Sequence, residues 1–230
     1  MSSNPSVYET LKSAATASWE GYIGHPFVRQ LARGELPEAC FRHYLGQDYL
    51  FLLHYSRAWA LAVVKSQDVE DLRQSAAAVD LLLNHELALH VTYCERWGLR
   101  EADLVRLPEA DANRLYTRFV MDTGLSGDLL DLLVALSPCS LGYAEIGRRL
   151  AADPATRLEG NPYRDWIEMY GGSEFQEGAE LCRQQLERVA RARGLTGDLT
   201  ANPRWPALRQ LFETACRLEI GFWDMGLLGA

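Results

Sequence analysis

The sequence is poor in strand signals, basic runs and paired cysteines. No run of alternating β-branched residues is closed by an Asn-Gly or Asp-Gly turn, which excludes an antiparallel sheet as the organising element. The net charge of −8 and the isoelectric point near 5.2 exclude a chain built to neutralise a phosphate backbone, and no nucleic-acid partner is expected. No apolar run approaches the roughly 20 residues of a membrane helix. The N-terminal MSSNPSVYETLKSAA has no basic segment followed by an apolar block. No membrane association and a cytoplasmic location are therefore expected. The five cysteines (Cys40, Cys94, Cys139, Cys182, Cys216) are widely spaced without a CxxC pair, as reduced thiols rather than a disulfide frame or zinc site. A phosphate-cradling glycine loop, a Ser/His/Asp signature and HExxH are also missing.

Helical periodicity is present almost throughout. With 48% apolar and 23% charged residues over 230 positions, the chain can bury a large core, and one all-α domain over residues 1–230 is predicted. Helices are expected over about 7–22, with a short piece after Gly24-His25-Pro26 to Ala32, then from Pro37 to Lys65 and from an Asp68 cap to Trp97. After a loop at 104–108, further helices are expected over 110–122, 127–150, 162–170, 173–193 and 204–227. Helices near thirty residues normally have apolar partners along much of their surface, so self-association is expected.

Polar residues inside apolar runs mark the places where chemistry is possible. In FRHYLGQDYLFLLHY, Asp48 shares helical neighbours with Tyr44, Phe51 and Tyr55; it is satisfied by a neighbouring helix or Arg57, or it faces a cavity. In CRLEIGFWDMG, Glu219 shares a face with Phe222 and Trp223. It is either an ion-pair partner of Arg217 or Arg148, or a desolvated general acid/base. In ALSPCSLGYAEIGRRL, Pro138 removes a backbone donor directly before Cys139, with Tyr143 one turn later. A helix restarting at Ser137 or Pro138 would put Cys139 in its first turn, where free N–H groups favour a thiolate. A buried inert thiol is the alternative. Tyr116 and Tyr170 read as core aromatics whose hydroxyls need partners. Glu86 and His90, at i and i+4 in NHELALH, could hold a metal, but a pair without further ligands reads as structural, and no metal is expected.

Four ordered segments, GHPFVRQLARGELPEACFRHYLGQDYLFL, SPCSLGYAEIG, NPYRDWIEMYGGSEF and EIGFWDMG, resemble the TenA family of thiaminase II/aminopyrimidine aminohydrolases over nearly the whole chain. The resemblance implies a haem-oxygenase-like helical bundle, usually a homotetramer, without haem, metal or other cofactor, and a small-molecule pyrimidine as the partner. It implies that Asp48 holds the exocyclic amino group and adjacent ring nitrogen, that Cys139 is the nucleophile, and that Tyr143, Tyr116 and Tyr170 orient the ring. Glu219 is then the C-terminal acid and Phe222 a pocket wall. Phe51 departs from a common family tyrosine, losing a hydroxyl while keeping the ring, and Ser140-Leu141 replace bulkier aromatics at the pocket edge. The implied activity is conversion of 4-amino-5-aminomethyl-2-methylpyrimidine, or thiamine, to the hydroxymethylpyrimidine in thiamine salvage. A pyrimidine-binding or regulatory protein without turnover, and an oxidase on the same scaffold, remain the rival readings.

Overall fold

The computed structural model describes residues 6–228, so the first five residues of the segment read above for a leader lie outside the described residues. No strand occurs among them. The N-terminal region forms α1 (Val7–Ala14), α2 (Thr16–Ile23) and α3 (Pro26–Arg33). The first two were predicted as one helix. The break falls at Ala15, where φ is −116°; Val7, Tyr8 and Leu11 are buried on one piece and Trp19, Tyr22 and Ile23 on the next.

The long α4 (Glu38–Lys65) begins directly after Pro37, as its sequence predicts. The Asp68 carboxylate accepts from the Asp71 N–H and opens α5 (Val69–Leu81). The predicted continuation to Trp97 is interrupted by a π-helical turn over Leu82–Glu86 before α6 (Leu87–Glu95). A short α7 (Glu101–Leu104) precedes α8 (Asp111–Ser126), α9 (Leu129–Ala152), α10 (Arg164–Gly171), α11 (Ser173–Ala192) and α12 (Trp205–Leu228). Asp128 and Asp131 form a reciprocal cap at the start of α9, and Arg204 and Arg193 hold the Asp128 carboxylate well below the usual range.

The helix α9 corrects one expectation. By length and composition it could cross a membrane, with mean hydropathy 1.4 over its most apolar window. It is the centre of the bundle instead, with 89% of that window buried. Along it, Gly147 permits backbone contact with α10: a Cβ at this position would lie 2.3 Å from the carbonyl carbon and oxygen of Tyr170. Gly147→Ala is expected to cost about 2 kcal/mol or more through overpacking against immovable backbone. The thermal midpoint should fall by roughly 4–8 °C for a chain of this size, measurable by calorimetry.

Candidate active site

On α4, one helical spacing places Tyr44 and Asp48 together, and the Tyr44 hydroxyl donates to Asp48 Oδ2 at 3.0 Å. The same oxygen meets His90 Nε2 at 2.7 Å, both side chains being buried. His90 Nδ1 lies 2.9 Å from the carbonyl of Glu86. A carbonyl only accepts, so Nδ1 carries a proton; a second proton on Nε2, donated to Asp48, makes the ring an imidazolium. Burial alone would lower the His90 pKa, but the hydrogen bond and charge of Asp48, followed by the charge of Glu86, hold it above its ordinary value. The acid in the apolar run is thus satisfied by a neighbouring helix, whereas Arg57 stays exposed beside His54 at 3.3 Å. His90 is accordingly engaged with Asp48, and among the described residues no three His, Cys, Asp or Glu side chains converge as metal ligands.

Cys139 does not sit in a first turn. The helix α9 continues through Pro138 from Leu129, so the thiol is mid-helix and without the free N–H groups expected to favour its ionisation. Proline removes the donor that would serve the Val134 carbonyl, and Ser137 Oγ donates to that carbonyl at 2.9 Å instead. The Tyr55 hydroxyl donates to the Leu136 carbonyl at 2.8 Å, tying α4 to the same turn. Burial pushes the Cys139 thiol well above its ordinary value, and the charges of Glu219, Glu86 and Asp48 push further. At rest the thiol is neutral.

Glu219 on α12 accepts a hydrogen bond from the Tyr116 hydroxyl at 2.8 Å. Neither expected arginine reaches it: Arg217 contacts Thr214, and Arg148 lies 4.0 Å from Glu145. Burial without a cation pushes its carboxyl up to about 8, against a smaller lowering by Tyr116. Phe51 packs between Tyr116 and Phe222, at ring-centroid distances of 5.0 and 5.4 Å. These four residues are buried and do not line the open cavity, but the charge of Glu219 acts on Cys139, so the carboxyl lies next to the wall at the thiol.

The cavity itself has a volume of about 650 Å³ between α4, the π-turn, α9, α10 and α11. Of the residues singled out from sequence, Asp48, Cys139, Tyr143 and Tyr170 line it. The Tyr143 hydroxyl lies 3.3 Å from that of Tyr44, and its ring is 4.9 Å from that of Tyr170. Ser140 also lines it, so the substitution at the pocket edge leaves a small hydroxyl at the wall. Sequence reasoning missed Glu86, which it weighed only as a metal partner of His90. Glu86 faces the cavity, accepts from the Tyr170 hydroxyl at 2.8 Å, and has its carboxyl pushed up to about 7, chiefly by burial. The Glu-x-x-x-His spacing was the available signal; the π-turn that aims the carboxylate was not legible.

A family model described as TENA/THI-4/PQQC matches residues 12–228. The chain belongs to this family. Among relatives of the TENA/THI-4/PQQC family, an uncharacterized protein of Haemophilus influenzae is 42% identical, covering 96% of this chain and 99% of its own. The aminopyrimidine aminohydrolase of Halalkalibacterium halodurans is 34% identical, covering 98% and 95%. A crystal structure from Silicibacter sp. TM1040, described as a TenA family transcription regulator, superposes with a TM-score of 0.91 at 44% identity, covering 96% of each chain. A haem oxygenase-like domain of unknown function from Shewanella denitrificans superposes at 0.71 with 16% identity over 95% and 91% of the chains, which identifies the fold. The single-chain helical bundle is therefore haem-oxygenase-like, as the sequence predicts.

Proposed function

We propose that this protein hydrolyses 4-amino-5-aminomethyl-2-methylpyrimidine, or thiamine, to the hydroxymethylpyrimidine, with Cys139 as nucleophile. The observation that carries the reading is the convergence of a neutral thiol, the Asp48 carboxylate and the Tyr143 and Tyr170 rings on one cavity, with a protonated carboxyl at Glu219 behind the thiol. The aminohydrolase relative supports it.

In this mechanism Asp48 accepts from the exocyclic amino group, its position held by Tyr44 and His90. The aromatic rings keep the pyrimidine plane oriented and exclude bulk water. Cys139 sulfur forms a bond to the electron-poor ring carbon while Glu219 gives its proton to the adjacent ring nitrogen, and the thiol proton replaces the one given up. Electron density from the dearomatised ring expels the amine or thiazolium from the exocyclic methylene. Water adds to that methylene, the C–S bond breaks, and the aromatic product leaves with the thiol regenerated. The cytoplasmic location and homotetramer belong to the same proposal.

Incubation of the purified protein with the aminomethylpyrimidine and with thiamine, followed by mass spectrometry, tests the reaction. Hydroxymethylpyrimidine should form, and the ratio between substrates separates salvage from thiamine cleavage. The regulator description of the similar Silicibacter chain favours a second reading, ligand binding alone. Binding of a pyrimidine with no product from either substrate would replace the hydrolase with that reading.

A further inference from the structure

The π-turn over Leu82–Glu86 puts Asn84, His85 and Glu86, three consecutive residues, on the cavity wall together with Leu82 and Leu89. An uninterrupted α-helix turns about 100° per residue and would carry one of three successive side chains away. Glu86 is the one acid among these five residues: its Oε1 accepts from Tyr170, and Oε2 makes no hydrogen bond among the described residues.

The charged residues around it are unequal. Asp48 is matched by His90 at 2.7 Å, Glu168 by Arg164 at 2.7 Å, and His85 lies 3.5 Å from Glu174. Glu86 has no cationic side chain bonded to it. Neither lysine nor arginine is among the described residues that line the cavity, whose polar lining besides acids and tyrosines is Asn84, His85, Ser140 and Ser173, with His85 beside Glu174. Tyr55, Tyr143, Tyr170 and Phe175 supply aromatic rings, whose faces attract cations.

We infer that Glu86, positioned by the π-turn and the Tyr170 hydroxyl, reads the charge of the group carried by the pyrimidine, accepting cationic substituents and refusing phosphate esters. The inference rests on the pyrimidine reading above and adds to it a specificity residue. Asp48 would recognise the ring, which every ligand of the class shares; Glu86 would distinguish the substituents. An ammonium or thiazolium group entering the cavity meets the Glu86 carboxylate, whose neighbouring cation His90 is bonded to Asp48, while an ester phosphate meets no lysine or arginine and is repelled by the same carboxylate.

Calorimetric titration in a Cys139→Ser background, which prevents turnover, tests this with three ligands that differ in one substituent. They are the aminomethylpyrimidine, a cation at pH 7.5; the neutral hydroxymethylpyrimidine; and its phosphate ester. The cation is expected to bind about tenfold or more tightly than the neutral ligand, as suits a charge-assisted hydrogen bond, and the phosphate to show no binding at millimolar concentration. Adding Glu86→Gln should bring the cation-to-neutral ratio to about one while the neutral ligand's affinity stays within about twofold, since glutamine keeps the shape and can accept from Tyr170. A merely structural role would weaken both ligands together, and that result, an unchanged ratio, or phosphate binding equal to the neutral ligand would each overturn the inference. If Glu86→Gln does not fold, Tyr170→Phe, which releases the carboxylate, should reduce the same ratio; an unchanged ratio there overturns it equally. Failure of the neutral pyrimidine to bind the Cys139→Ser protein would overturn the pyrimidine reading and this inference together, which separates that failure from the others.

Discussion

Replacing Cys139 by serine is expected to lower turnover of the aminomethylpyrimidine by on the order of 10³-fold or more while the hydroxymethylpyrimidine still binds. The size of the effect follows from the chemistry assigned to this atom. A serine hydroxyl is far less nucleophilic at neutral pH than sulfur, and no base is bonded to it in this helix that would activate it. The thiol is also neutral at rest, so its attack depends on simultaneous proton movement rather than on a standing thiolate. The sulfur-to-oxygen change is nearly isosteric in a half-buried position, so the thermal midpoint should move little. Asp48→Ala provides the contrast. It removes the partner of both His90 and the ring amino group, leaves an imidazolium buried without its counter-charge, and should weaken product binding and stability together. Single-turnover assays and calorimetry on the two variants distinguish a lost step from a lost site. Wild-type turnover by Cys139→Ser would remove covalent catalysis from the mechanism.

Glu219→Gln is expected to reduce kcat by about 10²–10⁴-fold, the range for losing a positioned general acid, without a matching loss of product affinity. The acid works in its protonated form, and burial pushes this carboxyl up to about 8. Activity carried by Glu219 is therefore fully present well below that value and lost as pH rises through it. The pH profile of kcat should fall above about 8 in the wild type, and the variant should lack that limb. The stability effect has the opposite sign. A carboxyl whose folded value lies above its unfolded value destabilises the fold increasingly as pH rises from the unfolded value toward the folded one, because only the unfolded chain ionises freely. Glutamine removes that term and can still accept from Tyr116, so Glu219→Gln should unfold at the same temperature as the wild type or higher at pH 8. Thermal scans at pH 5 and pH 8 measure this, and a variant destabilised at pH 8 would show that the carboxylate is needed for structure.

These predictions rest on residues whose visibility in the sequence differed. Asp48 stood out because an acid within Tyr44, Phe51 and Tyr55 must be paired or face a cavity, and both proved true of it. The helical class, the Asp68 cap and the start of α4 after Pro37 were legible because periodicity, capping and proline geometry act over a few residues. Resemblance over four ordered segments indicated the family and its bundle, which composition and spacing alone do not choose.

Only the tertiary structure decided the electrostatics. Whether Cys139 was an activated thiol at a helix start or a neutral one in mid-helix depended on α9 continuing through Pro138, which Ser137 and surrounding apolar packing permit. Whether Glu219 was ion-paired or desolvated depended on where two arginines point across the bundle. Glu86 reached the cavity wall through a π-turn that no breaker residue announces, and the cavity joins residues from four separated segments. Local backbone preferences are set by near neighbours, so the sequence determined the helices and many of their ends. Burial and charge are set by whichever groups meet at a distance along the chain, so pKa shifts, the cavity and the new role of Glu86 emerged only when the helices were packed.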